Sequence, residues 1–203
     1  MCFNQQVSIA TYLIGMIGSW KLLNRGFIIT AVFFAWVIQM QLIEFILWRN
    51  QTCLETNKRV TRLGILFNHL QPIVLWICIL YFSNMKLPLL LNVFMIAFVI
   101  FTIHYTYGAY VRAKCTTVSK ESSPHLHWRW NESRNNKEYY ASFLLALVLL
   151  FTYGVPDGQE VAIITIVSYA ISYYVYQDNH SVGAMWCFAA AFAPWIINYS
   201  RAS

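Results

Sequence analysis

The stretch FIITAVFFAWVIQMQLIEFILW, residues 27–48, decides the fold class of this chain. Its 22 residues contain a single ionisable side chain, Glu44. A helix of that length is about 33 Å long, which matches the roughly 30 Å thickness of the hydrocarbon core of a bilayer. The stretch therefore predicts a transmembrane helix.

The whole chain, like this stretch, is rich in apolar residues and poor in charged ones. Of its 203 residues, 59% are hydrophobic, 17% are aromatic and 11% are charged, and the mean hydropathy is +0.50. Soluble domains carry about 25% charged residues, so this chain cannot cover a water-facing surface. The composition excludes a cytosolic enzyme, a disordered tail and a secreted disulfide scaffold, and predicts an integral membrane protein.

Seven apolar segments are long enough to cross a bilayer, so we predict an all-α fold, a single domain formed by a seven-transmembrane-helix bundle. About 140 of the residues are then membrane spans, and no room is left for a soluble domain. The first six residues lack the basic region of a cleavable signal peptide. The predicted spans are 7–23, 27–48, 63–82, 87–111, 140–155, 160–176 and 181–199.

The charges predict an orientation. With seven spans, the amino-terminal side holds the two long polar loops, 49–62 and 112–139, and ten lysines and arginines, against four on the other side. The positive-inside rule then places the amino terminus and the long loops in the cytoplasm and the carboxyl terminus on the opposite side. The lipid bilayer is the expected partner of this basic face, and nucleic acid is not.

Two features bear on that orientation. Three glycosylation sequons, which begin at Asn50, Asn131 and Asn179, lie on the amino-terminal side and argue for the reverse orientation. Cys53 and Cys115 lie there too: in the cytoplasm they would be reduced thiols, whereas on the other side of the membrane they could pair. The odd total of five cysteines, without a CxxC pair, does not indicate a disulfide framework or a zinc ribbon.

Polar side chains within the spans concentrate near the amino-terminal side. Such groups are costly in a membrane and are functional hypotheses by default. Glu44 is the candidate catalytic residue. The candidate ligand-binding residues are Gln41, Gln71, Tyr107, Tyr173 and Trp186. The candidate metal ligands are Cys2, His69, His104, His125 and His127.

Imidazole, thiolate and carboxylate groups are the ligands of transition metals such as zinc. In this hypothesis His69 and His104, from adjacent spans, bind the metal and are joined by a histidine of the long loop. Glu44 acts as a general base on metal-bound water, and the substrate is a small or lipidic ligand. No HExxH pattern is present, so such a site would have to be assembled in three dimensions.

A second hypothesis is a channel or transporter for protons, cations or small solutes, with the same polar residues lining a vestibule. The opposite halves of the spans are almost wholly apolar and no pair of broken helices is evident, so a complete pore is not supported. A retinal pigment is excluded because the last span has no lysine. A structural membrane protein that binds partner helices is the remaining class.

Several of these residues also have purely structural interpretations. Glu44 is then a hydrogen-bonded structural carboxylate, and His69 satisfies carbonyl groups freed by Pro72. Tyr169 and Tyr173 pack together, and Cys187 fills space as a small apolar residue. Gly15 and Gly18 allow close approach of helices.

Five stretches, in this order along the chain, resemble a family of small polytopic membrane proteins of large DNA viruses, with bacterial relatives that also begin Met-Cys-Phe. The resemblance covers nearly the whole chain. It implies the polytopic architecture and draws attention to the same polar residues, but it implies no reaction. The stretches are Met1-Cys2-Phe3, Gln41-Leu42-Ile43-Glu44-Phe45, Asn68-His69-Leu70-Gln71-Pro72, His125-Leu126-His127-Trp128-Arg129-Trp130 and Met185-Trp186-Cys187-Phe188.

Overall fold

The computed structural model describes residues 4–118, 126–128, 130, 136–156, 158–176 and 182–201. These residues are helical apart from connections and one isolated bridge between Val118 and Leu126, so the prediction of an all-α fold is confirmed. The helices are α1 (Gln5–Asn24), α2 (Ile28–Arg49), α3 (Glu55–His69), α4 (Gln71–Phe82), α5 (Leu89–Arg112), α6 (Asn136–Gly154), α7 (Gly158–Tyr176), α8 (Val182–Ala190) and α9 (Ala193–Ser200).

Three helical segments are long and apolar enough to cross a membrane: α2, α5 and the segment Val182–Ser200 that contains α8 and α9. The α3–α4 pair passes the same test when taken as one span, which is bent by 50°. Helices α1, α6 and α7 have 20, 19 and 19 residues but are less apolar. The predicted membrane location thus has support from three or four segments, and the number seven is not confirmed.

The predicted third span, 63–82, differs most from the structure. The helix begins eight residues earlier, at Glu55, and breaks at Leu70 into α3 and α4. Pro72 lies in the first turn of α4. Proline has no N–H group to continue the hydrogen-bond ladder and its ring clashes with the preceding turn, which accounts for the break.

Hydrogen bonds between connections define one end of the bundle, which we call the Arg25 face (Arg25, Ser83, Gly154, Glu160, Arg201). Arg25, in the α1–α2 turn, donates to the backbone carbonyls of Asn198 and Arg201, both at 2.6 Å. Ser83, after α4, donates to the carbonyl of Gly154 at the end of α6. Arg201 pairs with Glu160 near the start of α7 at 3.6 Å.

The other end, which we call the disulfide face (Cys53, Asn57, Cys115, Thr116, Leu126), joins the α2–α3 connection to the chain after α5. Cys53 and Cys115 form a disulfide bond. The two long loops that the sequence placed on one side therefore meet in the structure.

Two apolar clusters form the core. The larger one is built from α1, α2 and α4–α9. The smaller one, at the disulfide face, packs Leu126, Trp128 and Trp130 of the long loop against residues that include Met40 and Cys187. The two tryptophans are buried and their rings stack at 4.9 Å, so this part of the loop caps the bundle.

Helix α1 packs closely against α2 and α9 at its glycines. A Cβ atom at Gly15 would lie 2.7 Å from Cδ1 of Ile38, and one at Gly18 would lie 2.8 Å from Nε1 of Trp195. The prediction that these glycines allow close helix approach is confirmed.

Candidate functional site

Two polar residues of α2, Gln41 and Glu44, are fully buried. They are three residues apart, so they share a face of the helix. The amide oxygen Oε1 of Gln41 accepts a hydrogen bond of 2.8 Å from Oγ1 of Thr11 on α1. Its amide nitrogen Nε2 has no hydrogen-bond partner among the described residues.

Gln71 is the first residue of α4 and directly follows the break at Leu70. Its side chain is fully buried, and neither Oε1 nor Nε2 has a nitrogen or oxygen hydrogen-bond partner in the described part of the chain. The thiol of Cys187, on α8, lies beside both Gln71 and Glu44. We call Gln41, Glu44, Gln71 and Cys187 the Gln71 cluster; it brings α2, α4 and α8 together.

His69, on the other side of the break, is also fully buried. Its Nδ1 atom lies 2.9 Å from Oγ1 of Thr106 on α5. The ring centroid lies 5.2 Å from that of Tyr105 and 5.0 Å from that of Tyr139. Its Nε2 atom has no hydrogen-bond partner among the described residues. An aromatic environment thus surrounds the imidazole, with Thr106 as its polar neighbour.

The carbonyl groups at the end of α3 are satisfied by other side chains. Trp36 donates from Nε1 to the carbonyl oxygen of Phe67 at 3.0 Å, and the hydroxyl of Tyr139 donates to the carbonyl oxygen of His69 at 3.2 Å. The hypothesis that the His69 ring serves the carbonyls freed by Pro72 is therefore not supported, because these two bonds use a tryptophan and a tyrosine.

The predicted pair of metal ligands, His69 and His104, is not brought together. His104 is exposed and precedes Thr106 by two residues, which is a rotation of about 200° around a helix. It therefore lies on the side of α5 away from His69.

Of the other predicted metal ligands, the structure describes His127 alone. Cys2 and His125 lie outside the described residues, and His127 is half-buried in the loop that caps the bundle. Among the described residues no group of three or more histidine, cysteine, aspartate or glutamate side chains could hold a metal ion. Zinc binding stays a prediction.

Three predicted ligand-binding residues lie outside the Gln71 cluster. Tyr107 and Tyr173 are 71% and 47% exposed, and Tyr173 stacks on Tyr169 with 6.3 Å between ring centroids. Trp186 is buried and donates from Nε1 to Oγ of Ser168 at 3.1 Å. It lines a mostly apolar crevice between α2, α7, α8 and the start of α9.

Thr106 and Tyr139 are neighbours of His69 that the sequence does not identify. Thr106 is an ordinary threonine in an apolar helix, and no local pattern distinguishes it. Tyr139 immediately precedes the predicted fifth span, so it was assigned to the loop. The structure begins α6 at Asn136, which places this tyrosine inside the bundle.

Comparison of the chain with models of protein families, with curated proteins and with solved structures finds no match.

Proposed function

We propose that the protein is a multi-pass membrane protein with seven crossings, formed by α1, α2, α3 with α4, α5, α6, α7, and α8 with α9. The exposed apolar faces support this architecture. On α5 they comprise Leu89, Val93, Ile96, Ile100 and Ile103, a spacing of three to four residues that follows one side of a helix. Soluble monomers rarely expose large apolar patches, whereas lipid contact accounts for them.

Two of the less apolar helices, α1 and α7, carry such faces as well. Helix α1 exposes Leu13, Ile17 and Trp20, and α7 exposes Ile163 and Ile171. Their lower mean hydropathy comes from polar residues that are buried or lie near the ends, such as Ser8 and Thr11 on α1. Each of these helices has a lipid-compatible side and a side that packs in the bundle.

We further propose that the Gln71 cluster binds a small hydrogen-bonding solute or the polar headgroup of an amphiphile. The observation that carries the proposal is the Gln71 side chain, which is fully buried with no nitrogen or oxygen partner for either polar atom in the described part of the chain; its polar neighbour, the Cys187 thiol, is a weak hydrogen-bonding group. Burying an unpaired amide costs about 1–3 kcal/mol by protein mutational data. Buried polar groups are nearly always hydrogen-bonded, so this arrangement favours a ligand-binding role.

The position of Gln71 favours the same role. Helix breaks inside membrane proteins expose backbone ends and polar side chains, and binding sites of transporters are built at such breaks. Here the 50° bend between α3 and α4 places Gln71 at the start of a helix, where the thiol of Cys187 interacts both with Gln71 and with the carboxyl group of Glu44 on α2. The amide offers a donor and an acceptor, and the carboxyl group adds a charge or a proton.

The experiment compares wild-type protein with Gln71→Leu, both purified in detergent and extracted for mass spectrometry of retained small molecules and lipids. We expect a compound at close to one per wild-type chain and a roughly tenfold or greater loss in Gln71→Leu, because two hydrogen bonds of about 1 kcal/mol each are removed. Gln39→Leu is the matched control on α2, since its amide donates to the Ala35 carbonyl and lies outside the cluster.

Equal retention by wild type and Gln71→Leu, or no retained compound in either, contradicts the proposal. Elemental analysis of the same samples, with His69→Ala added, tests the metal hypothesis separately. Stoichiometric zinc that falls in His69→Ala while Gln71→Leu keeps its small molecules would shift the functional site from the Gln71 cluster to His69.

A further inference from the structure

We infer that the disulfide face lies in an oxidising compartment outside the cytosol, with the amino-terminal end of α1 on the same side. The inference reverses the orientation that the charges predict. This inference does not depend on the proposed ligand site. The proposed seven crossings are needed only to place the carboxyl terminus on the opposite side of the membrane. Its first basis is the bond between Cys53, which precedes α3, and Cys115, which follows α5; their Cα atoms are 5.6 Å apart.

A hydrogen-bonded junction beside the disulfide holds the same two segments together. The buried side chain of Asn57 donates from Nδ2 to the carbonyl of Thr116 at 2.7 Å, and its Oδ1 accepts from the Thr116 N–H at 3.0 Å. The Val118 N–H donates to Oε1 of Gln51 at 2.7 Å. These hydrogen bonds hold the segments of Cys53 and Cys115 next to each other, so the disulfide does not depend on chance proximity of two loops.

Formation of the bond requires an oxidant. The two thiols lose two protons and two electrons, a sulfur–sulfur bond forms, and the disulfide of a partner oxidoreductase is reduced to a dithiol. Such oxidants act in the endoplasmic reticulum, in the periplasm and at cell surfaces, whereas the cytosol keeps thiols reduced. A persistent Cys53–Cys115 bond thus requires the non-cytosolic side.

Contacts of α1 assign the amino-terminal end to the same face. Thr11, near the start of α1, bonds Gln41 in the second half of α2, and α2 ends toward the disulfide face at Arg49. Arg25, at the other end of α1, contacts Arg201 on the Arg25 face. The chain near Asn4 and the disulfide therefore share one side of the membrane.

The charge bias points the other way, with ten lysines and arginines on the disulfide side and four on the opposite side. That bias is a statistical preference during insertion, whereas a disulfide has a chemical requirement for an oxidant. The sequon that begins at Asn50 lies on the disulfide face, and the two that begin at Asn131 and Asn179 lie outside the described residues. The disulfide therefore decides the orientation, with the disulfide face outside the cytosol.

The bond is tested on the full chain in closed microsomes from expressing cells. Free thiols are blocked with N-ethylmaleimide in denaturant, the sample is reduced, and newly exposed thiols are labelled with polyethylene-glycol maleimide. We expect a gel shift of two labels that requires reduction, is lost in Cys53→Ser and persists in Cys78→Ser, because Cys78 is a free buried thiol. No reduction-dependent shift in wild type would overturn the inference.

The orientation is tested with a glycan-acceptor tag fused to either end of the chain. We expect a glycosidase-sensitive shift with the amino-terminal tag. Absence of that shift while the carboxyl-terminal tag is modified overturns the inference. Modification of both tags supports the orientation of the disulfide face but contradicts the seven crossings, so the two proposals fail separately.

Discussion

At the scale of single residues, two buried amides on either side of the α3–α4 break have opposite environments. Gln71 has no nitrogen or oxygen hydrogen-bond partner among the described residues, and lies beside the weakly hydrogen-bonding thiol of Cys187. Asn68 donates from Nδ2 to the hydroxyl of Tyr140 at 3.0 Å. An unpartnered buried amide lowers stability and a partnered one contributes to it, so the same substitution should act in opposite directions at the two positions.

We therefore expect Gln71→Leu to raise the free energy of unfolding by about 1–3 kcal/mol and Asn68→Leu to lower it by a similar amount. Thermal unfolding of the two variants in detergent, after exhaustive washing to remove bound compounds, measures both effects. A less stable Gln71→Leu would mean that the amide has a partner within the protein, and the argument for a ligand there would be lost.

At the scale of helices, α1 depends on small residues for its packing against α9. A Cβ atom at Gly18 would lie 2.9 Å from Cβ of Pro194 and 2.8 Å from the indole of Trp195. Both neighbours are rigid rings, and Trp195 also donates from Nε1 to the carbonyl of Ile14 at 2.8 Å. Even one added methyl group must displace α9 or its tryptophan.

Gly18→Ala should destabilise the bundle by about 1–3 kcal/mol, the usual cost of overpacking a core. Gly108→Ala on α5 is the control, because the three atoms nearest to the added Cβ belong to the flexible guanidinium group of Arg112, the nearest at 3.1 Å. That control should be neutral or gain up to about 1 kcal/mol of helix propensity. Equal melting temperatures for the two variants would show that the α1–α9 contact is loose.

At the scale of the whole molecule, the disulfide links parts of the chain that are 62 residues apart. Closing a loop of this length lowers the entropy of the unfolded chain, which is worth about 4 kcal/mol in the chain-entropy estimate. The bond also anchors the hydrogen-bonded junction of Asn57 and Thr116. This junction lies at the same face as the loop residues of the smaller core cluster. Its loss should loosen the disulfide face more than the Arg25 face.

Wild-type protein should therefore lose stability in a reductant and reach the melting temperature of the Cys53→Ser, Cys115→Ser double variant. The double variant itself should not respond to reductant. Melting curves of both proteins with and without a phosphine reductant make the comparison. An identical response of the two proteins would indicate that the reductant acts elsewhere.

The sequence by itself determined the helical class, the presence of helices long and apolar enough to cross a membrane, and the grouping of the two long loops on one side. It also predicted that Gln41, Glu44, His69 and Gln71 lie near the amino-terminal side, because each is a polar residue in that part of an apolar stretch. These properties depend on the composition and length of local segments and on the alternating direction of successive spans. They can therefore be read from the sequence without knowledge of the contacts between side chains.

Only the tertiary structure decided which of these side chains meet. It separated His104 from His69 through their angular positions on two helices, supplied Thr106 and Tyr139 as neighbours of the imidazole, and placed Cys187 beside Gln71. It also paired two cysteines that the charges had predicted to be reduced. The physical reason is that side-chain contacts depend on helix rotation and on packing between distant segments, neither of which is encoded in the polarity of a local stretch.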